Sequence, residues 1–409
     1  MNADSGDREL SGEGAARRSV EDGAPAAAPA TGSESRLDLL IRGNLITDGT
    51  DLGPSWVGVA DGMITRIGTG SAPPATATME VAHLLPGFVD LHCHGAAGGA
   101  YDDGQEAIIA ARAHHLRHGT TASMLSLVTA RPADLIRRIA VIRAAAAADP
   151  QILGVHLEGP CLSHDKRGAH DPTLLRPPDP ELITGFSNAA GDLRTMITLA
   201  PELDGAMTAI RTLSEHGWVV ALGHTDASYE TGVRAIAAGA RLITHAFNGM
   251  RGLDHRSPGI LPAALEDPRV TIEVIADGEH VHPRMVRFLF DTAPGRVALI
   301  TDAMAATGQP DGRWKLGDLD VVVTDGLPRL VDTGSIAGST LTQDKAIRVA
   351  VAAGVPLRLA VAAATGVPAG VLGLTDTHGA VRVGRRADLV GLDADLQVCA
   401  VIADGVRVG

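Results

Sequence analysis

The sequence predicts a (β/α)8 barrel carrying a small β-sandwich domain built from the two ends of the chain. Three observations predict it. Eight apolar runs alternate with helical segments through the middle, short strand-like runs with Asp-Gly turns crowd both ends, and the apolar runs repeatedly stop at His, Glu or Asp.

The 409 residues suffice for one large domain and a small one, or for two to three ordinary domains, and a 45% hydrophobic share supports a large core. Aromatics make up only 2%, so that core must be built from Ala, Val, Leu and Ile. A net charge of −13 without an offsetting basic patch argues against a nucleic-acid partner. Cys93, Cys161 and Cys399 are few, odd in number and far apart, which reads as reduced thiols in a cytoplasmic protein.

Residues 1–35 are rich in Ala, Gly, Ser, Glu and Pro, lack the apolar core of a signal peptide, and read as a disordered tail. Residues 36–83 form the first part of the β-sandwich. Leu37–Ile46 and Trp56–Ile67 are strand-like, with turns at Asp48-Gly49 and Asp61-Gly62. The barrel occupies 84–375, with strands at 84–92, 121–128, 152–157, 195–200, 218–223, 241–247, 270–276 and 297–301. Helical segments between them include 105–117, 132–147, 205–216, 228–238 and 283–291. A doubly wound open sheet is the competing fold, but the chain shows no Gly-x-Gly-x-x-Gly opening. The stretch 313–340 reads as a hairpin insertion before the last helices. Residues 376–409 complete the sandwich with runs at Ala380–Val383, Ala387–Leu392, Val398–Ile402 and Val406–Val408. The apolar stretch 349–374 is broken by Pro356, Arg358 and Pro368 and is not a membrane span.

The chemistry concentrates at the strand ends. His92 and His94 are two apart, so both rings point to one side while Cys93 faces away. Glu158, His224, His245 and Asp302 end later runs, and a barrel gathers strand ends onto one face. Four imidazoles and two carboxylates suit one or two borderline divalent cations such as zinc. Taken singly, each has an ordinary alternative: a core histidine, or for Asp302 a helix N-cap.

Pro86–Gly95, His156-Leu157-Glu158-Gly159-Pro160, Gly223–Ala227, Thr244–Met250 and Leu299–Ala303 resemble the amidohydrolase superfamily. Within it they resemble the N-acetylglucosamine-6-phosphate deacetylase family, over about residues 37–409. That resemblance implies a metal held by Glu158, His224 and His245, and a second ion at His92 and His94 with Glu158 bridging. The count is one or two per chain, Zn2+ foremost, with Fe2+ or another divalent ion open. It implies Asp302 as general acid and base, and His170 and Asn248, with Gly249, at the sugar or acyl group. Arg256 and His280 would bind the phosphate, Arg256 reaching across a homodimer interface. The loop Ile336-Ala337-Gly338 would contact the sugar. The implied reaction converts N-acetylglucosamine 6-phosphate and water into glucosamine 6-phosphate and acetate. The galactosamine epimer, a cyclic-amide hydrolase and a catalytically dead scaffold are the alternatives. Glu158 stands where cyclic-amide hydrolases commonly carry a carboxylated lysine, which disfavours the second. The full metal set disfavours the third. Cys161, three residues after Glu158, reads as a packing residue or an oxidisable thiol.

Overall fold

Eight parallel strands form the barrel in sequential order: Phe88–Asp90, Thr120–Val128, Ile152–Glu158, Thr195–Leu199, Val219–Leu222, Leu242–Ile243, Thr271–Ile275 and Val297–Ile300. A computed structural model describes residues 36–408, so the expected tail at 1–35 lies outside the described residues. The strands are almost wholly buried because helices cover their outer faces, and such strands can be apolar on both sides. Gln105–Arg117, Pro132–Ala148, Ala206–Glu215, Tyr229–Ala238 and Pro283–Thr292 lie close to the predicted helices. Pro180–Ala190 and Leu261–Glu266 were not among them. The former begins with a signal present in the sequence: Asp179 caps it, its Oδ1 accepting from the N–H of Leu182 at 2.8 Å, and Pro180 follows at the first helical position.

The two chain ends meet in one seven-stranded sheet that includes Leu37–Thr47, Thr50–Ala60, Met63–Gly68, Ala75–Pro86 and three strands after residue 388. Ile41, Leu45, Val57, Ile64, Leu84, Leu389 and Ile402 give it a core of its own. Asp48-Gly49 and Asp61-Gly62 all have positive φ (52°, 70°, 51° and 75°), as tight hairpin turns between twisted strands require.

Three predicted runs change shape in the structure. The run 84–92 divides at Gly87: Ala75–Pro86 pairs in the outer sheet, and the barrel begins at Phe88. A Cβ on Gly87 would lie 2.1 Å from Thr121 Oγ1, so only glycine lets the crossing chain pass this close to the second barrel strand. The run 241–247 pairs only through Leu242 and Ile243, because His245 and Phe247 turn left-handed (φ 27° and 78°) and leave the sheet. Ala380–Val383 is not a strand. It is a loop whose Val381 N–H donates to Thr47 Oγ1 at 2.9 Å and whose Arg382 pairs with Asp48.

The insertion is a three-stranded antiparallel sheet, Gly312–Leu316, Leu319–Thr324 and Leu327–Leu330. It packs Leu316, Val321, Val323 and Leu330 against Val128 and Met304 near the carboxyl ends of the barrel strands. None of the described helices is long and apolar enough to cross a membrane.

Candidate metal centre

Glu158 ends the third barrel strand, and five imidazoles surround its carboxylate. Oε1 lies 3.0 Å from Nε2 of His224, 3.0 Å from Nε2 of His245 and 3.5 Å from Nε2 of His92. Oε2 lies 3.1 Å from Nε2 of His94 and 3.5 Å from Nε2 of His170. Asp302 Oδ1 closes the far side, 3.3 Å from His94 and 3.5 Å from His92. Two groups have ligand atoms close enough to share an ion: His92, His94, Glu158 and Asp302, and Glu158 with His170 and His224. His245 sits on the same Glu158 oxygen as His224.

The backbone aims these groups. His224, His245 and Asp302 all adopt positive φ (48°, 27° and 49°), which bends the chain sharply where each strand ends. Such conformations are uncommon for residues other than glycine and cluster at functional sites. Cys93 points away, its Sγ 3.2 Å from His115 Nε2 and 3.6 Å from the Tyr101 hydroxyl, and burial pushes its thiol up to about 11.

The hydrogen bonds at the rim leave acceptor atoms facing one another inside the cluster. A carbonyl only accepts, so His224 Nδ1 must donate to the Lys166 oxygen at 2.9 Å. In neutral His224 the Nε2 lone pair then faces Glu158 Oε1. His170 repeats the pattern: Nδ1 meets Thr129 Oγ1 at 2.9 Å, and that hydroxyl donates to the Glu158 carbonyl. Nε2 atoms also approach one another, 3.1 Å between His92 and His94 and 3.1 Å between His224 and His245. Lone pairs converge at such distances only around a proton or a cation. Burial opposes protonation of His94, yet Asp302 and Glu158 outweigh it and push the ring up to about 10. Burial likewise opposes ionisation of Glu158 and Asp302. For Glu158 the charge of His92 and the hydrogen bonds of His170, His224 and His245 win. For Asp302 His92 and His94 do so, and both carboxyls fall below their usual range. His170 is the exception, because burial takes it down to about 4. The donor set, imidazole and carboxylate without thiolate, fits a divalent ion.

Residues 83–408 match the amidohydrolase family. The chain belongs to that family. An N-acetylgalactosamine-6-phosphate deacetylase of Escherichia coli O157:H7 is 36% identical over 353 residues, 85% of this chain and 93% of its own length. The N-acetylglucosamine-6-phosphate deacetylase of Bacillus subtilis (strain 168) is 32% identical over 375 residues, 88% and 94% of the two chains. The N-acetyl-D-glucosamine-6-phosphate deacetylase of Mycobacterium smegmatis is similar in structure, with TM-score 0.87 and 44% identity. It covers 90% of this chain and 98% of its own, and one of its variants was solved with N-acetyl-D-glucosamine 6-phosphate.

In this amidohydrolase a cavity of about 290 Å3 opens above the cluster. His170, Asn248, Gly249, His280, Ile336 and Gly338 are among its lining residues, with His94, Glu158, His224, His245 and Asp302 at its floor. His280 is fixed by Asp277, Nδ1 to Oδ2 at 2.6 Å. Ala337 does not line the cavity; it is buried in the core of the inserted sheet. Arg256 is exposed on the loop after Met250 and does not reach the cavity of its own chain. Cys161 is fully buried, and burial pushes its thiol up to about 12, so it packs rather than reacts.

Several supporting residues escaped the sequence reading. Asp90 is buried beneath His92, accepting from its N–H at 3.2 Å and from the Thr301 hydroxyl at 2.6 Å. His156, between Ser126 and Thr198 at 2.9 Å each, packs edge-on against the His92 ring. Glu273 is wholly buried inside the barrel. An acidic residue within the apolar run Thr271–Ile275 was the one available signal for it.

Proposed function

We propose that this chain is a metal-dependent deacetylase that hydrolyses the acetamide of N-acetylglucosamine 6-phosphate to glucosamine 6-phosphate and acetate. The observation that carries the reading is the convergence of five imidazole Nε2 atoms within 3.5 Å of one carboxylate, beside Asp302 and under a cavity. The substrate bound to the M. smegmatis relative supports it.

A divalent ion, when bound, polarises an amide carbonyl and acidifies water. Glu158, His224 and His245 would hold one ion, and His92 and His94 a second, with Glu158 between them. Zn2+ suits the donors, and Fe2+ is the alternative. Asp302 is the general base and acid. Its carboxylate takes a proton from the attacking water and returns it to the amide nitrogen as the C–N bond breaks. His170 and Asn248 hold the sugar and acyl group, and the Ile336–Gly338 loop flanks the ring. His280 faces the 6-phosphate. Arg256, offered to a partner subunit's cavity in a homodimer, completes the phosphate site with a charge-assisted contact. The three free cysteines suit a cytoplasmic setting.

The galacto epimer is the second reading, favoured by the E. coli O157:H7 relative. Acetate release from both sugar phosphates, measured beside elemental analysis of the same preparation, tests the proposal. Acetate from neither would sink it, and faster release from the galacto sugar would move the assignment to the epimer.

A further inference from the structure

Glu273 has no ordinary structural reason to be where it is. It sits in the seventh barrel strand with no exposed surface, among apolar neighbours. Among the described residues no Lys or Arg pairs with it, and its Oε1 has no hydrogen-bond partner. A leucine would avoid that unpartnered polar atom. What Oε2 does face is specific: Nδ1 of His92 at 3.5 Å, and the backbone N–H of His245 at 3.4 Å.

His92 needs such a partner. Its Nε2 points into the cluster, toward His94, Glu158 and Asp302. For that nitrogen to offer a lone pair, the hydrogen must sit on Nδ1; Nδ1 makes no full hydrogen bond, and the Glu273 carboxylate at 3.5 Å is the acceptor it faces among the described residues. The neighbouring rings differ. His224 uses the Lys166 carbonyl, and Nδ1 of His94 and of His245 meets no acceptor among the described residues. The edge-on His156 ring, 4.5 Å away between centroids, limits rotation of His92 on another side.

We infer that Glu273 is a positioning residue that keeps the His92 hydrogen on Nδ1, and so sets the affinity of the His92–His94 half of the centre for its ion. The inference rests on the metal reading above. A carboxylate behind a ligating imidazole fixes its tautomer and strengthens it as a donor, and losing such a partner typically weakens metal binding about 10- to 100-fold.

Metal-stripped full-length protein would be titrated with Zn2+ against a competing chelator, in the wild type, Glu273→Gln, Glu273→Leu and His92→Ala. Wild type should take two ions. Glu273→Leu should bind the first as wild type does and the second roughly 10- to 100-fold more weakly. Glu273→Gln should lose less, since its carboxamide oxygen still accepts. In the His92→Ala background Glu273→Leu should change nothing further. The melting temperature of metal-free Glu273→Leu should change little, because loss of the long Oε2 contact to the His245 N–H is offset by removal of the unpartnered Oε1. A residue with a merely structural role would lower it. Unchanged binding of both ions in Glu273→Leu and Glu273→Gln overturns the inference, as does equal weakening of both with a lower metal-free melting temperature. Wild type taking one ion overturns it but leaves the metal reading standing; wild type taking none overturns both.

Discussion

The backbone N–H of Asp302 donates to the carbonyl oxygen of His92 at 2.8 Å, joining the eighth barrel strand to the first just beyond their ends. The same seam carries the Thr301 hydroxyl onto Asp90, and the N–H groups of His94 and Gly95 onto the Ala303 carbonyl. Asp302 and the His-x-His pair are therefore held by one short network, and Asp302 Oδ1 stays within 3.5 Å of both rings.

Replacing Asp302 with Asn tests the acid and base role with little disturbance to that seam. Asn tolerates the positive φ at this position better than most residues. An amide cannot accept the water's proton, so kcat should fall about 10²–10⁴-fold. Metal content, read by elemental analysis, should stay at the wild-type level. Near-normal turnover would move the role to another group.

His224 is clamped from three sides, and the clamp gives a second test. Its Nδ1 donates to Lys166, its Nε2 meets Glu158, and Gly249 lies against the ring. A Cβ at Gly249 would stand 2.8 Å from His224 Nδ1 at a backbone φ of 55°, where side chains are already disfavoured. Gly249→Ala should therefore displace the ring and lower metal content in the same direction as His224→Ala. Unchanged content in His224→Ala would remove this histidine from the ligand set.

Much of this arrangement was legible in the sequence, for identifiable reasons. The barrel strands fall within apolar runs, which burial on both faces permits. The metal candidates stand out because charged and imidazole side chains are costly in such places unless paired or liganded. What stayed hidden depends on chain crossings and on single atoms. Nothing local says that Gly87 divides one apolar run between two sheets; that follows from Thr121, more than thirty residues on. Glu273 reads as one acidic residue in a strand until the fold sets it behind His92.

Acid should loosen the barrel through Asp344. This carboxyl is nearly buried, 3.2 Å from His118 Nδ1 and 2.8 Å from Arg348. Burial opposes its ionisation, but His118, Thr342 and Arg348 together hold it far below the usual carboxylate range. A depressed folded-state pKa stabilises above the unfolded value of about 3.9 and loses that contribution as pH falls toward the folded value. Asp344→Asn should cost about 2 kcal/mol at pH 7 in urea unfolding. The gap to wild type should narrow steadily below pH ~4. A gap independent of pH would show that packing, not charge, accounts for the loss.

The last prediction concerns the phosphate. Arg256 is exposed and outside its own chain's cavity, whereas His280 lines that cavity, anchored by Asp277. If Arg256 serves a partner's cavity, Arg256→Ala should lower kcat/KM for the phosphorylated sugar roughly 10- to 100-fold, as loss of a hydrogen bond to a charged group does. Turnover of unphosphorylated N-acetylglucosamine should hardly change. That binding energy would act far from the scissile amide and would hold the acetyl group where the reaction occurs. Lysine would keep the charge without the planar fork and rescue only part of the loss. Mixing Arg256→Ala with His245→Ala gives the sharper measurement. Each variant alone should be nearly inactive. In a mixed dimer one cavity combines an intact His245 with an intact Arg256 from the other chain, so part of the activity should return. Failure to recover activity after demonstrated subunit exchange would exclude a shared site.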